Sequence, residues 1–309
     1  MARTFITGVA GFIGSNLARA LRAAGEEVVG LDDFSTGRRE NLEGIEGLTL
    51  HEGDLRELDL AALFAGCDYV LHQAAMPSVA RSVDDPGASH AVNATGTLRV
   101  LEAARAAGVK RVVYASSSSA YGDTPVLPKV ETMPPSPRSP YAVAKLTGEQ
   151  YCRVYTEVYG LETVALRYFN VFGPYQDPHS AYAAVIPRFI RCALDGSSPP
   201  VFGDGGQTRD FTYIDNVIEA NLKARTAPAA AGEAVNIAVA ERVSLLELID
   251  AINEALGTQM RPDHQPPRAG DVRDSLADIS KAQALLGYEA KVGFREGLAR
   301  TIAWYQGRP

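Results

Sequence analysis

The sequence contains little cysteine, its histidines are scattered, and it has no long apolar run. Its 309 residues include only three cysteines, Cys67, Cys152 and Cys192. This odd number, without the spacing of a metal site, indicates reduced thiols and a cytoplasmic location. Because the five histidines do not cluster, we expect no metal. No apolar stretch approaches the roughly 18 residues that span a bilayer, and the chain runs into a strand without a signal-peptide pattern, so we expect no membrane partner.

Basic residues are outnumbered by acidic ones. The 30 lysines and arginines against 37 aspartates and glutamates give a net charge of -7, which argues against a nucleic-acid partner. A phosphate ligand held by a few local arginines remains compatible with this charge. With 46% hydrophobic and 22% charged residues, the composition is that of an ordinary globular chain with one large core or two unequal ones.

The beginning of the chain predicts a βαβ unit. Residues 3–7 form a short apolar strand, an apolar-periodic helix runs to about Ala24, and a second strand covers 27–31. The turn between the first strand and the helix carries Gly8, Gly11 and Gly14. Glycines here let backbone N–H groups approach a pyrophosphate at the helix N-terminus, as in dinucleotide-binding proteins.

Asp32 follows the second strand of this unit. A carboxylate at that position can accept hydrogen bonds from an adenosine ribose and would repel a 2'-phosphate, which favours NAD over NADP. The alternative is that Asp32 is only a turn residue before Asp33. Arg38 and Arg39 could hold a 2'-phosphate instead, or simply belong to a solvated loop.

Strands continue to alternate with helices after this unit. Residues 48–52 lead to Asp54, which could meet an adenine edge, 68–72 lead to the small residues of Gln73-Ala74-Ala75, and 111–115 lead to a run of four serines. This alternation predicts an α/β fold, a Rossmann-like doubly wound parallel sheet that binds ligands at the carboxyl ends of its strands.

Tyr141 and Lys145 stand four residues apart in a segment that begins with a helix start signal. Ser139 is a good N-cap and Pro140 suits the first helical position. On a helix the two side chains share one face. Because an ammonium favours the phenolate, the pair could take a proton from a sugar hydroxyl. The alternative is a pair of surface neighbours.

In their order along the chain, these motifs resemble the extended short-chain dehydrogenase/reductase family. Nearly the whole chain takes part, and within the family it is most similar to nucleotide-sugar 4-epimerases that act on UDP-N-acetylglucosamine and UDP-glucose. The matching segments are Gly8 to Gly14, Ser117 to Gly122, Tyr141 with Lys145, 167–174, 181–187, 209–215, and Arg268 with Asp271.

The resemblance implies a reaction, a cofactor and a partner. It implies that Tyr141 is the base and that Lys145 binds the nicotinamide ribose and lowers the pKa of the tyrosine. It also implies that a serine relays the proton of the 4-hydroxyl group, either Ser117 or, as the alternative, Ser118. NAD would oxidise carbon 4 of a UDP-hexose to a ketone and reduce it again from the other side. Many relatives dimerise through two helices, here near 93–107 and 141–159, so we expect a homodimer.

The implied binding residues fall into two sets. Asn93 and Tyr168 match positions that line the cofactor pocket, although either could be an ordinary core residue. The cofactor set is Gly8, Gly11, Phe12, Ile13, Gly14, Asp32, Ser35, Gly37, Asp54, Leu55, Gln73, Ala74, Ala75, Asn93, Tyr141, Lys145 and Tyr168. The substrate set is Ser78, Ser117, Ser118, Asn170, Gln176, Ala184, Val185, Phe202, Gln207, Arg209, Arg268, Asp271 and Ser275.

Two of the substrate residues are expected to grip the ligand by charge. Arg209 and Arg268 stand on separate loops, where they could bind a pyrophosphate together or, singly, be surface ion-pair members. A small residue at Ser275 leaves room for an N-acetyl group, unless it is an indifferent loop serine. Pro77 departs from the glycine of the acetamido-sugar subgroup.

The second half of the chain predicts a smaller, discontinuous substrate-binding domain. We expect residues 1–169 with about 211–240 to bind NAD, and 170–210 with about 241–309 to bind the nucleotide sugar. Helices are expected over 181–194, 244–257 and 280–305. Other readings of the whole chain are a UDP-glucuronate epimerase, a sugar dehydratase, a one-way oxidoreductase and a non-catalytic NAD- or sugar-binding protein.

Overall fold

A computed structural model describes residues 1–178, 184–266 and 272–307. Its strands, numbered in chain order, are β1 (Arg3–Thr7), β2 (Glu27–Asp32), β3 (Leu48–Glu52), β4 (Tyr69–His72), β5 (Arg111–Ser117), β6 (Glu162–Tyr168), β7 (Val171–Phe172), β8 (Pro200–Phe202), β9 (Thr208–Arg209), β10 (Thr212–Tyr213), β11 (Ala234–Ile237), β12 (Val243–Ser244) and β13 (Asp263–Gln265).

The helices in the described ranges are α1 (Phe12–Ala23), α2 (Leu60–Phe64), α3 (Val79–Asp84), α4 (Pro86–His90), α5 (Gly96–Ala106), α6 (Pro140–Tyr159), α7 (Val185–Asp195), α8 (Ile214–Ala224), α9 (Leu245–Leu256), α10 (Ser280–Leu286) and α11 (Phe294–Gln306). A π-helical turn, Ala91–Thr95, joins α4 to α5, and a 3-10 turn, Ser118–Tyr121, follows β5. None of these helices has the length and apolar character of a membrane span.

The centre of the fold is a seven-stranded sheet with the order β3-β2-β1-β4-β5-β6-β11. All of its strand pairs are parallel. The order reverses between β1 and β4, which opens a crevice at the carboxyl ends of those strands. The predicted Rossmann-like doubly wound sheet is therefore confirmed.

Helices cover both faces of this sheet. Leu17 of α1 and Val217 of α8 belong to the apolar cluster on one face. Phe64 of α2, Leu101 of α5 and Tyr155 of α6 belong to the cluster on the other. Because both faces are buried, the strands carry nearly continuous apolar runs, as parallel strands usually do.

The amino ends of the sheet strands carry charged side chains that are paired within the protein. Arg225, at the end of α8, bonds Glu26 just before β2, with Nη1 to Oε2 at 2.6 Å and Nη2 to Oε1 at 2.9 Å. Arg111, at the start of β5, bonds Glu162 at the start of β6, with Nε to Oε2 at 2.9 Å. It also donates from Nη1 to the carbonyl oxygen of Ala224 at 2.8 Å. These pairs close the end of the sheet opposite the crevice.

Shorter strands from the second half of the chain pair outside the main sheet. Strand β8 pairs with β13 in parallel, and β9 pairs with β12 antiparallel. Helices α7 and α9 pack together, and α9 begins with a capping box in which Ser244 and Glu247 bond each other's backbone nitrogens. Strand β11 joins the main sheet beside β6. The division into two domains remains a prediction.

Residues 280–305 are helical only in part, which corrects the expectation of continuous helix. Helix α10 ends at Leu286 because Gly287 takes a left-handed conformation, with φ of 61°. The break lets Tyr288 enter the core, where its hydroxyl donates to the carbonyl oxygen of Ala238 at 2.8 Å. The helix expected over 181–194 is described from Val185 to Asp195, and 181–183 lie outside the described residues.

Candidate active site

A cavity of about 670 Å³ opens at the carboxyl ends of β1, β2 and β4, and it is larger than a second cavity among the shorter elements. A Cβ atom on Gly14 would lie 2.1 Å from the carbonyl oxygen of Gly8. One on Gly8, whose φ is +70°, would lie 2.7 Å from the backbone nitrogen of Ala74. Since only glycine fits at both positions, the turn keeps its backbone open to the cavity, which Gly11, Phe12 and Ile13 also line.

Asp32 lies at the end of β2 and lines the same cavity. Its Oδ2 accepts from the backbone nitrogen of Ala10 and its Oδ1 from that of Phe34, each at 2.8 Å. Burial raises the pKa of the carboxyl, and these backbone hydrogen bonds oppose the shift. The fixed carboxylate suits a ribose diol, whose hydroxyls donate hydrogen bonds.

Arg38 and Arg39, on the loop that follows Asp32, form ion pairs with other acidic side chains. Arg38 Nη1 lies 3.3 Å from Asp177 Oδ1. Arg39 Nη1 lies 2.7 Å from Glu52 Oε1. Neither guanidinium is therefore reserved for a 2'-phosphate, which agrees with NAD rather than NADP as the ligand.

The remaining loop residues predicted to bind the cofactor come together at this cavity. They are Ser35, Gly37, Asp54, Leu55, Gln73, Ala74 and Ala75. One of them is already paired, because Arg56 Nε lies 2.9 Å from the Asp54 carboxylate and holds its pKa below the usual value. A contact between Asp54 and adenine would have to share the carboxylate with this ion pair.

Asn93 and Tyr168 do not line the cavity. Asn93 is buried, with Oδ1 accepting from Met76 N at 2.8 Å and Nδ2 donating to Met76 O at 3.3 Å. The Tyr168 hydroxyl accepts from Asn221 Nδ2 at 2.8 Å and from Gln73 Nε2 at 3.2 Å. Both side chains bond the loop of residues 73–78 from the side that faces the protein interior. These contacts are those of ordinary core residues, the alternative that the sequence left open.

Tyr141 and Lys145 lie on one face of α6, which begins as predicted with Ser139 as N-cap. The Lys145 ammonium lies 5.9 Å from the centre of the Tyr141 ring and donates to the carbonyl oxygen of Ala115 at 2.8 Å. Burial lowers the pKa of Lys145 to about 8. Burial raises the pKa of Tyr141, and a hydrogen bond with the Ser117 side chain opposes that shift.

The structure distinguishes the members of the serine run. Ser116 Oγ is buried and bonds Glu149 on α6. Ser117 Oγ meets Tyr141 and also accepts from Ser119 Oγ at 2.9 Å. Ser118 makes no side-chain hydrogen bond with a described residue that would place it at the tyrosine. Of the two serines left open by the sequence, Ser117 is therefore the one beside the phenol.

The tyrosine and the larger cavity meet at α3. Ser78 and Arg81 line the cavity, and Ser82, on the same short helix, accepts from the backbone nitrogen of Tyr141 at 3.1 Å. Tyr141, Lys145 and Ser117 are not themselves part of the cavity wall. Tyr141 thus stands directly behind the cavity end that α3 forms.

A second cavity, of about 250 Å³, lies among the shorter elements. Six predicted substrate residues line it, namely Asn170, Ala184, Val185, Phe202, Gln207 and Arg209. Sequence reasoning missed Arg188 and Leu245, which also line it and lie outside every matching segment, and Phe211, which lies within the matching segment 209–215. Ala184 lines both cavities, so they meet at this residue.

The other predicted substrate residues have different positions. Gln176 lines the larger cavity and donates from Nε2 to the carbonyl oxygen of Val171 at 3.2 Å. Ser275 lines neither cavity, and its backbone nitrogen donates to Thr208 O at 3.1 Å. Arg268 and Asp271 lie outside the described residues.

The segment 174–177 contacts α1 and the loop after β2 beside the glycine turn, and no signal in the sequence indicates these contacts. Asn16 Nδ2 donates to the carbonyl oxygen of Pro174 at 3.1 Å, and Asn41 Nδ2 to that of Tyr175 at 3.4 Å. The Arg19 guanidinium lies 4.3 Å from the centre of the Tyr175 ring. Together with the Arg38–Asp177 ion pair, these contacts tie the segment to the dinucleotide end of the sheet.

Comparison with known proteins identifies the family. The model of the NAD dependent epimerase/dehydratase family matches residues 4–238. The chain belongs to this family. As a member of the NAD-dependent epimerase/dehydratase family, it uses NAD as its cofactor, which agrees with Asp32 and the glycine turn.

Individual members of the epimerase/dehydratase family resemble the chain along its length. It is 42% identical over 312 residues to a UDP-glucose 4-epimerase of Mycolicibacterium smegmatis, covering 99% of each. A solved UDP-N-acetylglucosamine 4-epimerase of Methanobrevibacter ruminantium, in complex with UDP-N-acetylmuramic acid, is 37% identical with a TM-score of 0.95, covering 100% of this chain and 99% of that one. A UDP-glucuronic acid 4-epimerase of Bacillus cereus, with UDP-glucuronic acid and NAD, is 34% identical with a TM-score of 0.91, covering 99% of each.

Proposed function

We propose that this protein is an NAD-dependent 4-epimerase of UDP-hexoses. The observation that carries the proposal is the group of Tyr141, Ser117 and Lys145, which stands behind the end of the dinucleotide cavity that α3 forms. Full-length similarity to proteins named as 4-epimerases of three different UDP-sugars supports the reaction type. It does not separate the three sugars.

The larger cavity fits NAD. The glycine turn offers backbone N–H groups to the pyrophosphate, and Asp32 accepts from the adenosine ribose. When bound, NAD supplies the acceptor and donor of the hydride of carbon 4. The small side chains of Ala74 and Ala75 leave room for the nicotinamide half.

Tyr141 holds and moves the proton in this proposal. Its phenolate takes the 4-hydroxyl proton, and the Ser117 hydroxyl, bonded to the phenol, orients or relays it. Because the pKa of Lys145 is about 8, its ammonium form predominates at neutral pH and favours the phenolate. Lys145 is itself fixed to β5 through its bond to the Ala115 carbonyl oxygen.

The smaller cavity suits the uridine diphosphate. Phe202 and Val185 provide apolar walls, and Arg209 and Arg188 provide positive charge for phosphate oxygens. We keep Arg268 and Asp271 as proposed ligands from the sequence resemblance. The hexose would then lie toward Ala184, where the two cavities meet.

UDP-N-acetylglucosamine is the substrate we propose first, with UDP-glucose next. The small side chain of Ala184, where the two cavities meet, supports room for an acetamido group, and Ser275, which lines neither cavity, is kept only from the sequence resemblance. UDP-glucuronate is a second candidate because Arg81 lines the larger cavity, and no ion pair or side-chain hydrogen bond joins its guanidinium to another described residue. A free guanidinium at that end could pair with a hexose carboxylate.

The test is turnover of the three sugars by purified protein without added NAD. Proton NMR would follow the 4-epimers of UDP-N-acetylglucosamine, UDP-glucose and UDP-glucuronate. We expect UDP-N-acetylglucosamine to react fastest and Tyr141→Phe to react with none. If only UDP-glucuronate reacts, and Arg81→Gln abolishes that reaction, the second candidate replaces the first. No turnover of any sugar, even with NAD supplied, would refute the proposal.

We also propose that two copies associate through α5 and α6. Val143, Val154 and Val158 form an apolar stripe on the outer side of α6, with exposures of 49%, 37% and 65%. A stripe of this kind gains stability when a second helix pair covers it. Light scattering should give a dimer for the wild type and a monomer for Val158→Glu, whereas an unchanged mass would contradict this interface.

A further inference from the structure

The reactive end of β5 is joined to α6 by polar contacts that repeat every four residues of the helix. The side chain of Tyr141 lies against that of Ser117. Lys145 Nζ donates to the carbonyl oxygen two residues earlier on the strand, at 2.8 Å. Glu149 accepts from the hydroxyl of the residue between them, Ser116. The first two contacts belong to the proposed chemistry, whereas the third has no role in it so far.

Glu149 is held by a partner on the neighbouring strand. Arg167 of β6 lies beside Ser116 in the register of the sheet. Its Nε lies 2.9 Å from Glu149 Oε1, and its Nη2 lies 2.8 Å from Oε2. The Arg167 guanidinium also lies 4.7 Å from the centre of the Tyr121 ring, at the end of the serine run.

This ion pair is fully inside the protein. The side chains of Arg167 and Glu149 are 5% and 3% exposed, and Arg167 Nη1 has no hydrogen-bond partner among the described residues. A buried pair of this kind is rarely more stable than well-packed apolar side chains of similar volume. The pair instead fixes the orientation of the side chains, because both carboxylate oxygens of Glu149 and the Ser116 hydroxyl can form all of their hydrogen bonds in only one arrangement.

We propose that Ser116, Glu149 and Arg167 form a positioning cluster that holds Ser117 against Tyr141. The proposal rests on the function proposed above and adds residues to it. None of the three lines either cavity, so they act through Ser117 and not on the ligand. Fixing the serine just before Ser117 sets the direction in which the strand presents the reactive hydroxyl.

This role predicts a specific kinetic signature. When Ser116 loses its hydroxyl, the Ser117 side chain is free to turn away from the phenol. A misplacement of about 1 Å can lower a rate by up to about 100-fold, so a partial turn should lower it by about tenfold. Ser116→Ala should therefore lower kcat about tenfold. Because the cavities are untouched, KM for the UDP-sugar and the amount of bound NAD should stay within about twofold.

Thr163→Val is the matched control. Thr163 Oγ1 is also a buried hydroxyl that joins the sheet to α6, donating to the carbonyl oxygen of Cys152 at 2.7 Å. It lies at the amino end of β6, away from the reacting groups. Thr163→Val should lower the melting temperature as much as Ser116→Ala and leave kcat unchanged. Equal kcat values for Ser116→Ala and Thr163→Val would overturn the proposal.

A double-mutant cycle tests whether Ser116 acts through Glu149. Glu149→Gln keeps the size of the side chain but weakens its bonds to Ser116 and Arg167. If the cluster is one unit, Glu149→Gln should lower kcat severalfold alone and add little in the Ser116→Ala background. Multiplicative effects would mean that the residues act separately, against the proposal.

A crystal structure of Ser116→Ala decides the matter without any activity. The proposal requires that the Ser117 hydroxyl leaves hydrogen-bond distance of the Tyr141 phenol in this variant but not in the wild type. Retention of that contact would overturn the proposal even if the substrate were misassigned. A wild-type protein that turns over no UDP-sugar would instead refute the proposed function.

Discussion

The two ends of the parallel sheet are built from different residues. At the amino ends, charged side chains bond each other, as Arg225 does with Glu26 and Arg111 with Glu162. At the carboxyl ends, glycines, alanines and serines line the larger cavity, whose wall also carries charged side chains such as Asp32 and Arg81. The comparison indicates that the charged pairs at the amino ends serve stability, whereas small residues at the carboxyl ends leave room for a ligand that nearby charged side chains can contact. Substitutions at the two ends should therefore affect different measurements.

Tyr141→Phe should have the largest effect, and only on activity. Removing the phenolic oxygen removes the proposed base, which typically contributes a rate factor of about 100 to 10,000. Because Ser117 is the side chain against which the Tyr141 hydroxyl lies, and no other hydrogen bond joins this hydroxyl to a described residue, the melting temperature should stay close to that of the wild type. NMR turnover assays and thermal melts check both points. A large loss of stability would place Tyr141 among the structural residues.

Arg225→Met should have the opposite signature. It leaves Glu26 half-buried without its partner, and breaking such a pair costs about 3 kcal/mol in the free energy of unfolding. Arg295→Met is the matched control, because Arg295 and Glu254 are 75% and 73% exposed, and an exposed pair contributes less than about 1 kcal/mol. Urea titrations measure both. A lower kcat per folded Arg225→Met molecule would contradict the separation of the two ends.

Ser117→Ala should lower kcat about tenfold, and Ser118→Ala should lower it little. The two variants remove the same atom from neighbouring positions, but only Ser117 bonds Tyr141. Loss of one hydroxyl that orients a proton transfer gives an effect of this order. The reverse ranking would mean that bound substrate moves the serine run into a different register.

The smallest expected effect is the acid sensitivity of the amino end. The hydrogen bond from Arg225 is the main cause that holds the pKa of Glu26 below its usual 4.5. A lowered folded-state pKa stabilises the fold fully above pH 4.5 and loses this contribution as pH falls through the folded value. Melting temperatures of wild type and Glu26→Gln should therefore converge below pH 4.5. A constant difference down to pH 3 would contradict the pairing.

Local signals in the sequence were enough for much of the site. The glycine turn, Asp32 at the end of β2 and the capped start of α6 each depend on residues within one or two turns of chain, and the structure has them where the sequence predicts them. The sheet and its crevice follow from the alternation of strands and helices. The same local logic brings Tyr141 and Lys145 to one face.

What the sequence did not indicate depends on contacts between distant residues. Asn93 turns to the backbone of Met76, and Tyr168 to Asn221, so neither reaches the cavity. Which of Ser117 and Ser118 lies beside Tyr141 depends on how α6 packs against β5, and the sequence does not show that packing. Gly287 ends a helix whose apolar pattern continues beyond it, because Tyr288 finds a buried place.

The segment 174–177 has a consequence for how the protein exists in the cell. Its bonds to Asn16, Asn41 and Arg38 fasten it to the wall of the cavity that we propose for NAD, and we infer that a leaving dinucleotide would have to displace it. Release would require several of these bonds to open together, so the residence time of NAD should exceed many turnovers. A cofactor kept in this way is a prosthetic group, regenerated on the protein by each completed epimerisation. The rate of the protein would then be independent of the cellular ratio of NAD to NADH.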